Sequence, residues 1–228
     1  MIAAAPSKPA VVYPESDGLP MAENTRQFRW IVTIQGGLEA LYRDNPNVFV
    51  AGDLLWYPIE GNNTIRVAPD ALVVFGRPRG DRGSYLQWLE GNIAPQVTFE
   101  VLSPGNRPGK LVDKFKFYER YGVDEYYVWD PDTGDLSGWL RNNGELEAIA
   151  EMNGWVSPRL NVRFELVEGD LRLYGPDGKR FATYIELVEQ RDQLVAQNEN
   201  AQSSVDQAQQ RAERLAAQLK ALGVEPEA

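Results

Sequence analysis

Two apolar segments of the sequence each carry one carboxylate where a strand is expected: Asp70 in PDALVVF and Glu100 in VTFEVL. Side chains alternate along a strand, so Asp70, Leu72 and Val74 share one face, and Thr98, Glu100 and Leu102 share another. If the two strands are neighbours, the acids stand side by side. Carboxylates in contact repel, and one keeps its proton unless a cation lies between them. A divalent metal, which favours oxygen ligands, resolves that conflict. The plainer readings are that Asp70 caps a Pro-Asp turn and that Glu100 points to water, since a buried carboxylate without a partner is costly.

A lysine joins this pair. GKLVDKFKFYERYGV reads as a helix stopped by Gly122. With Leu111 at the origin and a helical advance of about 100° per residue, Phe115 falls at about 40° and Tyr118 at about 340°. Tyr121 follows at about 280° and Phe117 at about 240°, which leaves Lys114, at about 300°, inside the apolar arc. Lys116, at about 140°, lies on the polar side with Asp113, Glu119 and Arg120. A lysine on a core-facing stripe either snorkels to water or meets a carboxylate. The Glu100 strand leads through a short turn into this helix, so the helix packs back near it. Asp70, Glu100 and Lys114 are therefore candidates for one site, with Lys116 as the second choice.

What the chain lacks narrows the chemistry further. It contains no His and no Cys. Ser-His-Asp and Cys-His catalysis, His-ligated zinc and imidazole general bases are all excluded. An enzyme built from this sequence works with carboxylates, Lys, Tyr, Ser or Thr.

The elements that position these residues are those of a mixed α/β domain. The 228 residues hold one full domain plus an appendage, and 43% apolar with 25% charged content is that of a soluble globular chain. No apolar run has membrane-spanning length and the N-terminus lacks signal-peptide features, so a cytoplasmic protein without membrane partners is expected. The net charge of -10 opposes nonspecific coating of nucleic acid. Residues 1–18 read as a loose tail. A helix capped by Asn24 or Thr25 follows, with Phe28, Ile31, Val32, Leu38, Leu41 and Tyr42 as its apolar side and Gly36-Gly37 weakening its middle. NVFVAGDLLWYPI reads as strands around a Gly52-Asp53 turn, APDALVVFG as a strand, and Ser84 to Leu89 as a short helix in a polar loop. QVTFEVL, DEYYVWDPD and a hairpin on Asn143-Gly144 complete the centre.

From Tyr184 the texture changes. Leu187, Leu194, Ala201, Ala208, Leu215 and Leu222 recur at seven-residue spacing, with Tyr184, Arg191, Asn198, Val205, Ala212 and Leu219 as the companion positions. This is a coiled-coil pattern with a weak, alanine-rich seam, and an Asn at such a position favours one register, often that of a parallel dimer. A homodimer through this helix is expected; a solvated helix packed on its own domain is the plainer reading.

The order APD, FEVLSPGN, DKFKFYERYGV, DEYYVWDPD resembles the Uma-two family of restriction-endonuclease-like proteins, a branch of the PD-(D/E)xK nuclease superfamily. PESDGLPMAENT and the heptad tail resemble one subgroup of it. The superfamily usually carries its lysine two residues beyond the acid, where this chain has Leu102. In the Uma-two branch the lysine lies on the following helix, four residues before a tyrosine, matching Lys114 and Tyr118. The resemblance implies a restriction-endonuclease-like mixed β-sheet core flanked by helices over residues 19–178, with a coiled-coil helix at 184–223. It also implies Mg²⁺ (or Mn²⁺) held by Asp70, Glu100 and the Val101 carbonyl. Lys114 would position water or stabilise phosphoryl charge, in the metal-dependent hydrolysis of DNA phosphodiester bonds. Glu39 is a possible further ligand.

Other residues have plainer roles. Tyr118 reads as core and Asp130-Pro131-Asp132 as a turn. Trp56, Trp88, Trp129, Trp139 and Trp155 read as packing. Arg77, Arg79, Arg82, Arg107 and Lys110 flank the site in sequence and are candidates for phosphate contacts. The alternative to a nuclease is a catalytically silent nuclease-fold protein acting as a binding or assembly module through its coiled coil. A carboxylate-pair glycosidase would leave the lysine idle.

Overall fold

The computed structural model describes residues 11–18, 20–105 and 108–222. They fall into two units, residues 1–181 and 182–228. In the first, α1 (Thr25–Leu41) precedes β1 (Val48–Ala51), β2 (Trp56–Tyr57), β3 (Ala71–Phe75), β4 (Tyr85–Leu86) and β5 (Val97–Val101). Then come α2 (Pro108–Tyr121), β6 (Glu125–Asp130), β7 (Asp135–Asn142), β8 (Glu145–Ala148), β9 (Arg163–Val167) and β10 (Asp170–Tyr174). The second unit is α3 (Tyr184–Ala221). Residues 1–10, Leu19, Asn106, Arg107 and residue 223, which belong to segments named above, lie outside the described residues.

Six strands form one mixed sheet in the order β1-β3-β5-β6-β7-β8. Only β5 and β6 run parallel, joined by α2 as the crossover; the other neighbours are antiparallel. β3, β5 and β6 are buried on both faces, which explains their near-continuous apolar runs. One face places Ala71, Val73, Val97, Phe99, Val101, Tyr127 and Trp129 against Ile31, Ile34 and Leu38 of α1. The opposite face places Leu72, Val74, Tyr126 and Val128 with Trp56, Tyr85 and Tyr118 of α2. Glu100, one residue along from Phe99, therefore faces the α2 layer.

The mixed α/β sheet flanked by helices, and the long C-terminal helix, are as expected from sequence. Local details differ. α1 buries Ile31, Ile34 and Leu38, whereas Phe28 and Val32 stand exposed. The helix continues through Gly36-Gly37, and the Phe181 ring packs where a Cβ of residue 37 would lie. The expected helix at Ser84 to Leu89 is instead β4 and a single 3-10 turn, Gln87–Leu89. Tyr85 there is fully buried, its amide bonded to the Leu55 carbonyl, so packing overrides local preference. Asn143 and Gly144 do turn the β7–β8 hairpin, both with positive φ. Part of the expected tail is tied down: Tyr57 Oη donates to the Pro14 carbonyl at 2.7 Å and Asn63 to the Val12 carbonyl at 2.7 Å. Among the described residues no helix is long and apolar enough to cross a membrane.

Candidate active site

Strand register decides where the acids stand. β3 and β5 pair antiparallel with Ala71 opposite Phe99, so one step further sets Asp70 opposite Glu100 on the α2 face. The contact is tight: the Val101 amide donates to Asp70 Oδ2 at 2.6 Å. Only 3% of the Glu100 side chain is exposed, and α2 supplies what its burial requires. Lys114 Nζ donates to Glu100 Oε2 at 2.6 Å and Tyr118 Oη to Glu100 Oε1 at 2.5 Å. The two donors are four residues apart, one above the other on the helix. Lys114 Nζ also donates to the Ala68 carbonyl at 3.1 Å, which fixes the ammonium between the β3 entry and β5.

The structure thus brings Asp70, Glu100 and Lys114 together and leaves Lys116 exposed on the far side of α2. Tyr118 is core, stacked on Trp56 and edge-on to Tyr126, but its hydroxyl also touches Glu100. The helical wheel placed it correctly; nothing in its spacing announced the hydroxyl's partner. The Val101 carbonyl accepts from Gln27 Nε2 at 2.8 Å, and Gln27 Oε1 accepts from the Glu23 amide at 2.8 Å. α1 therefore reaches the site through Gln27, a residue the sequence pattern did not single out. A carbonyl oxygen has two lone pairs, so this bond leaves one for another partner.

Asp53 is the other residue that sequence reasoning missed. β1 and β3 pair with Ala51 opposite Leu72, and the same register carried on two residues sets Asp53 opposite Asp70. Its amide donates to the Pro69 carbonyl at 3.1 Å, and its φ of 48° turns the chain there. Asp53 in the bend after β1, Asp70 at the entry to β3 and Glu100 in β5 form an acidic row. The row was hidden because Gly52-Asp53 reads simply as a turn; strand register was the signal that could have found it.

All three acids, with Lys114, Lys110 and Arg66, line one cavity of about 450 Å³. Its electrostatics are lopsided. Burial, then the neighbouring Glu100, push Asp70 up to about 8, against the opposing pull of Lys114 and the Val101 amide. Burial and Asp17 raise Asp53 as well. Burial alone would lower Lys114, but Glu100 and Asp70 outweigh it and the ammonium is held above its ordinary value. Burial, then Glu100, keep Tyr118 far above the usual phenol range, so it stays a neutral donor. Lys114 is the cation whose charge pulls on both Asp53 and Asp70, and the remaining excess of acid is the imbalance a further cation relieves. Among the described residues no three His, Cys, Asp or Glu side chains converge as a metal cluster. A cation here would rest on Asp70 and Glu100 supplemented by backbone oxygen and water, a donor set that suits Mg²⁺ or Mn²⁺.

Residues outside the cavity have other partners. Glu39 meets Arg79 at 3.4 Å and Gln35 at 2.9 Å in a separate cleft, so it is not positioned to join Asp70 and Glu100. Arg77 and Arg82 both bind Glu90, at 2.8 and 2.6 Å. Asp130 Oδ1 accepts from the Asp132 amide at 2.9 Å, a turn. Trp56 and Trp129 are buried, Trp139 stacks on Tyr126, Trp155 donates to Tyr127, and Trp88 packs on Tyr13.

A mixed sheet flanked by helices thus gathers Asp70, Glu100 and Lys114 in one cleft. Residues 19–159, more than half of the chain, match the family Uma2, described as "Putative restriction endonuclease"; the chain belongs to that family. The crystal structure of "a putative nuclease belonging to DUF820 from Anabaena variabilis ATCC 29413" is similar at 17% identity with a TM-score of 0.45, over 61% of this chain and 74% of that one. No curated protein matches the chain.

Proposed function

We propose that the protein is a metal-dependent endonuclease that hydrolyses DNA phosphodiester bonds. Its nuclease domain spans residues 19–178, and the helix at 184–223 joins two copies. The observation that carries the reading is the buried Glu100 held by Lys114 beside Asp70, inside a chain that belongs to Uma2. Asp70, Glu100 and the free lone pair of the Val101 carbonyl would hold Mg²⁺ or Mn²⁺. When bound, such an ion acidifies water and neutralises phosphate charge.

The chain's own residues do the rest. Glu100 and Ala68 use two of the three protons of the Lys114 ammonium, so one remains to meet a phosphoryl oxygen as negative charge builds there. Tyr118 and Lys114 together fix the Glu100 carboxylate, so it need not reorganise when substrate arrives. Gln27 fixes the Val101 carbonyl in the same way. Lys110 and Arg66, on the cavity wall, supply positive charge for flanking phosphates.

The silent-module reading has one specific observation in its favour. The arginines of the RPRGDRG loop are occupied by Glu90 and Glu39, and Arg82 also lies over the Phe49 ring, which leaves a thin basic footprint. Incubation with supercoiled plasmid separates the two. We expect nicking that requires Mg²⁺ or Mn²⁺, stops with EDTA, and is lost in Glu100→Ala and Lys114→Ala. A purified protein inert with either ion favours the silent module. Nicking that survives both substitutions would place the chemistry elsewhere.

A further inference from the structure

We infer that two copies of α3 pair antiparallel along their whole length. This rests on the self-association proposed above and adds its orientation. α3 starts at a full capping box, Thr183 with Glu186, and ends at the C-cap Leu222. None of its 38 residues is buried, and Leu187, Leu194, Val205 and Leu215 stand exposed. These residues share the heptad seam.

Orientation follows from what meets what. In a parallel pair each seam residue faces its own copy. Arg191 would then meet Arg191 in the seam, and Ala201, Ala208 and Ala212 would form three layers of alanine against alanine, too thin to fill the interface. Reversing one helix so that Tyr184 faces Leu222 places every seam position opposite the complementary one, with no overhang at either end. Arg191 then meets Leu215, where its stem packs and its guanidinium reaches water. Leu194 meets Ala212 and Val205 meets Ala201, so large faces small. The Asn198 layer, which would pair amide with amide in a parallel dimer, is the one that gives up a partner, meeting Ala208 instead.

Charge points the same way. Residues 184–202 carry four acids and one base, and residues 203–221 carry two acids and three bases. Antiparallel pairing sets the acidic half against the basic half, whereas parallel pairing sets acid against acid. The helix dipoles also oppose one another favourably when antiparallel. At about 1.5 Å per residue the two Tyr184 positions lie about 57 Å apart, so the chains enter the rod from opposite ends.

The chain contains no cysteine, so introduced thiols report on orientation without background. Full-length Leu187→Cys and Leu219→Cys proteins are prepared separately and mixed, with light scattering for mass and a short bis-maleimide for proximity. We expect dimeric masses, no self-linking of either protein, and a covalent dimer in the mixture, because the two Leu187 positions are separated by about 48 Å. Gln190→Cys with Gln218→Cys, which flank the seam, repeats the test without altering it. Self-linking of Leu187→Cys in a dimeric protein, or dimers that link with neither pair, overturns the orientation and leaves self-association standing. A monomeric unaltered chain overturns both.

Discussion

Tyr118 donates a hydrogen bond from its hydroxyl to Glu100 Oε1 at 2.5 Å from a position with no solvent exposure. The ring is held by Trp56 and Tyr126, so the hydroxyl can be removed without disturbing the packing. Tyr118→Phe should lower nicking activity about tenfold to a hundredfold, the usual effect of removing an outer partner of a metal ligand. Stability should fall by about 1–2 kcal/mol. Rates and chemical denaturation of the same preparation check both.

Lys114 and Glu100 form a pair in which one member is almost fully buried. Lys114→Met leaves Glu100 without its cation and should cost about 1–3 kcal/mol, allowing for the 30% exposure of the lysine side chain. Adding Glu100→Gln should recover part of that loss. A double-mutant cycle by urea denaturation measures the coupling; strictly additive effects would contradict it.

Asp70 works against the fold that holds it. Its carboxyl titrates near 8 in the folded state, above the ordinary 3.8. Between those values the folded state binds a proton that the unfolded state does not, so stability falls as pH rises through that window. Asp70→Asn should therefore stabilise the protein more at pH 8 than at pH 5, by on the order of 1–2 kcal/mol and with a correspondingly larger rise in melting temperature, while abolishing cleavage. Thermal melts at the two pH values check the sign. Saturating Mg²⁺ should narrow the difference by stabilising only the unaltered protein.

Two adjacent glycines should respond oppositely to alanine. A Cβ on Gly36 meets open space, whereas one on Gly37 runs into the Phe181 ring. Gly36→Ala should stabilise by about 0.5–1 kcal/mol through helix propensity. Gly37→Ala should destabilise by about 1–3 kcal/mol through overpacking, offsetting the same propensity gain. Denaturant midpoints of the pair decide it.

Much of this architecture could be read from periodicity. Burial on both faces makes β3, β5 and β6 apolar throughout, and the helical wheel separated Lys114 from Lys116 because amphipathicity is local. What escaped depended on distant pairing. Asp53 joins the acidic row through the register between β1 and β3, and Gln27 reaches Val101 because α1 crosses the sheet at that point. The Tyr85 segment was misread because its burial depends on Phe49 and Leu55, which no local window contains. Phe28 and Val32 were misassigned because an apolar stripe on a helix does not reveal how much of it the sheet covers.

The acidic row also guards the alignment of the sheet that carries it. Side chains switch faces with every residue, so a one-step slip between β3 and β5 would drive Glu100 into the layer of Phe99, Tyr127 and Phe164, where no ammonium waits. A misaligned sheet is thus penalised most at the residues proposed for catalysis. Chains that pair these strands out of step would lose the Glu100–Lys114 contact and the stability that depends on it.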